Sequence, residues 1–258
     1  MSGEAAKRRS HGWIGIILIV TATMLWWSLR YDPETAAIVV GWVPALLEGF
    51  LVNIAMSIVA MAMATILGVL LGAALIAPAG PARRIGRLIT GFLRNAPWLV
   101  MMFFIMYLIP YEIVIGGHFI RLSDFAKACV GIALPAAGYV AEMVRGAIQS
   151  VDRGQWDAAA ALGLNHRRTL RLVILPQTLR TMMPPWMNIY CAVMMATSLA
   201  STLSVREMMS NLADRLASET SPDLLLPAYG LTFLIFFLFI YPISRLSRRL
   251  ERQWRIAG

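Results

Sequence analysis

Six runs free of charged side chains divide this sequence, at residues 13–29, 49–82, 95–111, 128–141, 181–205 and 224–244. A helix needs roughly 20 mostly apolar residues to cross the hydrocarbon of a bilayer. The pattern therefore predicts an all-α integral membrane protein with six transmembrane helices. The second run exceeds the required length and predicts a helix over about 46–77 that tilts or extends past the membrane. The third depends on Glu112 reaching the interface at its outer end. The fourth is short by charge, and reaches full length only when Lys127 snorkels outward and Glu142 and Arg145 sit at the inner boundary.

Composition agrees with lipid as the solvent. Hydrophobic residues are 59% of the 258, charged residues 14%, and the mean hydropathy is +0.67, whereas soluble domains carry about a quarter charged residues. The net charge of +9 raises the question of a nucleic-acid surface. The placement of the charges answers it: 21 Arg and two Lys gather in short stretches between the apolar runs, as in membrane loops. With the N-terminus in the cytoplasm, 18 of the 23 basic residues fall on inner segments and five on outer ones (Arg30, Arg121, Lys127, Arg206, Arg215). That asymmetry places both termini inside. The first run, after Lys7-Arg8-Arg9, resembles a signal peptide. It is long for one, and bulky residues follow where small ones would mark cleavage, so it reads as an uncleaved anchor with Trp26, Trp27 and Tyr31 at the outer interface.

Little in the chain suggests chemistry of its own. Cys129 and Cys191 lie in apolar runs and read as buried thiols; three scattered His form no metal motif. No GxxxxGK[ST] phosphate loop is present, and no nucleophile has a base at motif spacing. Energy for any transport must then come from a partner. An ion-driven secondary transporter is the alternative, but it predicts an ionisable residue at mid-depth and internal repeats, and the spans hold neither. A membrane-embedded enzyme would need a catalytic constellation that is absent.

One loop differs from the others. Residues 145–185 have a helical pattern with too much charge for lipid. Asp152 opens an Ala-rich helix over 156–162, Gly163 interrupts it, Asn165 caps a second helix over 166–174, and Pro176 closes that one. The small side chains of Ala158 to Ala161 allow another surface close to the backbone, which suggests a docking element.

Asp157-Ala158-Ala159, Gly163 four residues on, and Val173-Ile174-Leu175-Pro176 after nine more resemble the loop signature of ATP-binding-cassette importer permeases. That family has Glu-Ala-Ala, Gly and Ile-x-Leu-Pro at this spacing. The run from Gly138 to Ile148, with Pro176-Gln177-Thr178-Leu179-Arg180 and Pro184-Pro185-Trp186-Met187-Asn188, is similar to permeases for polar amino acids of the histidine and glutamine type. Gly49, Asn53-Ile54 and Ser57 resemble the opening of that family's first core helix, where Thr is usual in place of Asn53. The resemblance implies a core over 46–252, preceded by an added unit over 1–45 and followed by a cytoplasmic tail over 253–258. It also implies coupling to an ATPase through Asp157, Ala158, Ala159, Gly163, Leu164 and Asn165. The implied partners are a dimer of ATP-binding-cassette ATPases, a second permease copy or sibling, a periplasmic solute-binding protein and membrane lipid, with no nucleic acid. ATP and Mg would bind the ATPase, and this chain would hold no cofactor or metal. The implied setting is a bacterial inner membrane, and the implied cargo amino acids or related small polar solutes.

Two departures stand out. Arg94-Asn95-Ala96-Pro97 replaces Arg-Gly-Thr-Pro, and Met195 stands where a Lys often precedes Thr-Ser-Leu, here Thr197-Ser198-Leu199. Glu142 and Arg145, three apart, read first as a neutralising pair. Asn188, Tyr190, Thr197 and Ser198 read first as interhelical hydrogen-bond partners. The alternative has Asn95, Tyr139, Asn188, Thr197 and Ser198 lining a translocation path. The charge asymmetry carries a direct test. A thiol placed near Ser2 should resist impermeant reagents in intact cells, while one near Glu34 should label; the reverse pattern inverts the topology.

Overall fold

A computed structural model of the chain describes residues 33–115, 118–219 and 221–255. The expected first span at 13–29, with Trp26, Trp27 and Tyr31, lies outside the described residues, as do Ser2 and residues 256–258. Helices α1 (Pro33–Gly41), α2 (Val43–Ile76), α3 (Pro81–Asn95) and α4 (Trp98–Leu108) lead to a hairpin of β1 (Glu112–Ile115) and β2 (His118–Arg121). The strands pair antiparallel, with Glu112 opposite Arg121. Then come α5 (Asp124–Gln149), α6 (Arg153–Ala161), α7 (His166–Thr169), a π turn (Leu170–Ile174) and α8 (Leu175–Ala196). A 3₁₀ segment (Thr197–Leu203), α9 (Met208–Ser218), a short 3₁₀ turn (Pro222–Leu224) and α10 (Leu225–Arg255) complete the chain.

Three of the described helices are long and apolar enough to cross a membrane, and five spans result when each of two bent pairs counts as one. The expected helix over 46–77 matches α2 closely. At 34 residues α2 is about 51 Å long, well beyond the hydrocarbon thickness. The expected third span over 95–111 is corrected. α3 and α4 meet at a bend of 109°, and α4 alone, with 11 residues, covers about 16 Å. Pro97 is the cause. It lacks an N–H and pushes Ala96 out of the helical region, to ψ 127°.

Helix α5 is the axis of the fold. In its most apolar stretch 72% of the residues are buried, against 33% for α2 and 22% for α10. Its small residues make that burial compatible with several neighbours: Ala128, Ala133, Ala136, Ala137 and Ala141 are all fully enclosed. Along α2, Gly68 and Gly72 face Val140 and Val144 of α5 so closely that a Cβ at Gly68 would sit 2.5 Å from Val140 Cβ and 2.8 Å from the Ala137 carbonyl. In lipid, helices gain little from hydrophobic burial against each other, and close packing of small residues supplies the attraction.

The fourth span is longer than 128–141, since α5 runs from Asp124 to Gln149. Ser123 starts it by accepting from Ala126 N–H. Lys127 does not snorkel outward as expected. It is 1% exposed, and its ammonium lies 3.4 Å from the centre of the Tyr111 ring, a cation–π contact in place of water. Nor does Pro176 close a second helix. The π turn, in which Leu175 N–H reaches back to the Leu170 carbonyl, runs directly into α8. Pro176 falls in the first turn of α8, where a missing N–H is tolerated.

Replacing Gly68 by Ala should force α2 and α5 apart and lower stability by about 1–3 kcal/mol. Gly91→Ala, on an open face of α3 with no atom within 4 Å of the added carbon, should be neutral or stabilising by up to about 1 kcal/mol. Thermal unfolding of the purified full chain in detergent reads the difference; equal melting temperatures for the two variants contradict this packing.

Candidate functional site

The loop between α5 and α8 is a rigid corner. Asp152 caps α6, its carboxylate accepting from Gly154 N–H at 2.6 Å. α6 then ends in a Schellman arrangement, with Gly163 N–H bonded to the Ala160 carbonyl and Leu164 N–H to the Ala159 carbonyl. Gly163 sits at φ +73°, where a side chain is strained and glycine is not. Asn165 caps α7 by accepting from Arg168 N–H at 3.0 Å. The Trp156 and His166 rings stack with centroids 5.3 Å apart, bracing α6 against α7. Gln177 of α8 donates to Gln155 at 3.4 Å and ties the corner to the span that follows.

The corner presents a small, apolar outer face. Asp157, Ala158, Ala160, Ala161 and Gly163 are exposed, and Leu162 is 80% exposed at the tip. Leu164 is half-buried and Asn165 exposed. Ala159 differs from the rest of the expected coupling set: it is 3% exposed, turned toward the protein. Arg167, Arg168 and Arg171 are exposed just beyond. An exposed large apolar side chain on an ordered helix end, with small residues beside it, is a surface suited to burial by another protein.

The expected path residues do not converge on one place. Asn95 donates to the Gly91 carbonyl in its own helix, at the α3–α4 bend. Tyr139 donates to the Arg94 carbonyl there at 3.2 Å, and its ring lies beneath the Arg94 guanidinium and beside Trp98. Glu142 joins the same cluster by pairing with Arg145 at 2.7 Å and Arg94 at 3.7 Å. On another side, Asn188 accepts from Ser247 of α10 at 3.1 Å. Tyr190 reaches Ser57 of α2 at 3.2 Å, and Trp186 donates to Thr65 at 3.0 Å. These are the interhelical bonds expected of polar groups in an apolar span.

Thr197 is fully buried and accepts from Asn53 of α2 at 3.0 Å. Ser198 and Met195 instead border an open cleft of about 530 Å³ between α8, α9 and α10, together with Met209, Tyr229 and Phe236, with Arg248 at one end. The residue that sequence reasoning passed over is Glu207. It is fully buried and accepts from Asn53 Nδ2 at 2.7 Å. It lies two residues beyond the apolar run that ends at Val205, next to Arg206, where nothing in the sequence singles it out. Among the described residues no group of three or more His, Cys, Asp or Glu could hold a metal ion.

Comparison with known proteins fits this geometry. Residues 64–256 match the family model described as the binding-protein-dependent transport system inner membrane component. The chain is 34% identical over 168 residues, 65% of its length and 72% of the relative's, to the probable amino-acid ABC transporter permease protein YckA of Bacillus subtilis (strain 168). It is 30% identical over 214 residues, 83% of its length and 94% of the relative's, to the glutamine transport system permease protein GlnP of Escherichia coli (strain K12). The fold superposes on a crystal structure of an amino acid ABC transporter with histidines, with a TM-score of 0.71 at 22% identity over 83% of this chain and 96% of that one. With the family match spanning well over half of its residues, the chain belongs to the binding-protein-dependent transport system inner membrane components.

Proposed function

We propose that this chain is the permease subunit of an ATP-driven importer that moves amino acids or related small polar solutes delivered by a solute-binding protein. The relatives' names support the solute class, since both are amino-acid permeases. The observation that carries the coupling role is the ordered corner at Gly163 with its exposed Ala-rich face and Leu162 tip. The chain is not an enzyme; ATP and Mg belong to a separate ATPase subunit. In this reading Asp157, Ala158, Gly163 and Asn165 meet a cleft of the ATPase dimer, while Ala159 and Leu164 hold the corner to its own subunit. ATP-driven closure of that dimer pulls the corner, and α8, continuous with it through the π turn, carries the movement into the spans.

Six spans with both termini in the cytoplasm of a bacterial inner membrane complete the proposal, along with a second permease copy or sibling. The basic asymmetry supports the orientation. The absence of an ammonium at Met195 leaves the cleft bordered by apolar and hydroxyl groups except for Arg248 at one end, so selectivity would rest largely on the external binding protein. An ion-driven mechanism draws some support from the burial of Glu207. Its two oxygens, however, are taken by Asn53 and by Ser210 N–H, the bonding of an anchor and not of a proton carrier.

Gly163→Asp tests the coupling role. Desolvating an unpaired carboxylate in a docked interface should reduce uptake by about tenfold or more. Gly163→Asn, which tolerates the same backbone region without the charge, should be milder. Both should insert in the membrane. Normal transport by Gly163→Asp with its ATPase bound removes the coupling assignment.

A further inference from the structure

The most enclosed polar cluster in the described chain joins three segments that are far apart in sequence. Asn53, Thr197 and Glu207 are each fully buried. Asn53 Nδ2 donates to Glu207 Oε2 at 2.7 Å and to Thr197 Oγ1 at 3.0 Å. Its Oδ1 accepts from Met208 N–H at 3.2 Å. The other Glu207 oxygen accepts from Ser210 N–H at 3.0 Å and so caps α9. Thr197 donates onward to the Met194 carbonyl. The groups match donor for acceptor: the two Glu207 oxygens face two donors, and the amide uses both its ends.

This cluster adds a polar tie to a helix whose Met208 and Leu212 are already buried in one apolar cluster with Leu46, Phe50 and Met194. α9 meets the preceding helical run at a 47° bend, after Ser204 in the left-handed region at φ +64°. Beside that packing, a stripe on α2 at positions 45, 49 and 53 makes polar and close backbone contacts to α9. The Ala45 carbonyl accepts from Asn211 Nδ2 at 2.7 Å. At Gly49 a Cβ would stand 2.6 Å from the Met208 backbone, so only glycine admits α9 so near. Asn53 then takes Glu207. The other side of α9 presents Met209 to the cleft that Ser198 and Met195 border. α9 is thus at once a wall of the cleft and the element that the Asn53–Glu207 contact holds in place.

We propose that Glu207 is a positioning residue for transport, a latch whose bond to Asn53 holds α9 against α2 and the cleft in its narrower state, and whose release lets α9 move outward. The inference rests on the reading of the chain as a permease. A polar latch suits reversible motion: water entering an opened path replaces the lost hydrogen bonds, so release carries little net penalty. An equally tight apolar contact offers no such exchange.

A donor–acceptor swap tests it in the assembled importer, chain with ATPase and binding protein, reconstituted in vesicles. The probe is a Ser198→Cys thiol, in a background with Cys129 and Cys191 replaced by Ala, whose reaction with a water-soluble reagent reports water entry to the cleft. Glu207→Gln leaves one of the two donors facing an NH₂ group, and Asn53→Asp sets two carboxylates together. Each should raise labelling and lower uptake per assembled importer, with ATP hydrolysis retained. The double variant restores a carboxylate–amide pair with the roles exchanged, and should return both readouts toward the parent. Glu207→Asp keeps the charge but shortens the reach, and should act in the same direction as Glu207→Gln, more mildly, should the latter fail to fold. Lower melting temperatures with unchanged labelling and unchanged uptake per folded importer would make Glu207 a structural residue only. A double variant no better than the single ones also overturns the latch. Absence of ATP-driven uptake in the parent itself defeats the permease reading, while the labelling arm still decides the latch.

Discussion

Close contact between α2 and α5 is the constraint on which the other helices depend. Gly68 and Gly72 let the α2 backbone reach Val140, Val144 and the Ala137 carbonyl. Lipid removes the usual hydrophobic gain from pairing two apolar helices, so shape and van der Waals contact must hold them. Small residues on both sides provide that contact. Once α5 is enclosed, α3, α4 and α8 take positions around it, and α2 keeps a free stripe for α9. The glycines and alanines that look featureless in the sequence thereby set the architecture.

Polar residues then do what small residues cannot, which is to fix register and angle. Trp186 to Thr65, Tyr190 to Ser57, and Ser247 to Asn188 each tie α8 to a neighbour at one defined point. The Asn53, Thr197 and Glu207 cluster does the same for the bend before α9. Such bonds are directional and individually modest in membranes, on the order of 1 kcal/mol. In the proposed coupling, helices held this way keep one geometry at rest and exchange it for another when force arrives through the Gly163 corner. Structure and transport meet in that property.

Much of this was legible in the sequence, and the failures have physical causes. Spans at α2 and α10 follow from charge-free length, and the caps at Asp152 and Asn165 and the turn at Gly163 follow from local residue chemistry. The expected third span is too long because hydropathy ignores backbone geometry; Pro97 is apolar and counts toward the run, yet the helix begins only at Trp98. Pro176 was over-read in the opposite sense, since a proline in a first turn does not stop a helix. Lys127 was expected to seek water, and the neighbouring Tyr111 ring offered an alternative that no one-dimensional reading contains. Glu207 carries no signal in the sequence because its partner Asn53 lies 154 positions away. For Asn188, Thr197 and Ser198, polarity within an apolar span does not distinguish a side chain that lines an opening from one that ties helices together.

Transport driven by a separate ATPase through the Gly163 corner is the central proposal. The most direct measurement is solute uptake into vesicles holding this chain, purified together with its ATP-binding subunit, with the binding protein added outside. Uptake should require internal ATP and the binding protein, and should persist when ionophores collapse the ion gradients. Uptake by this chain alone, driven by an imposed ion gradient and indifferent to ATP, would contradict it.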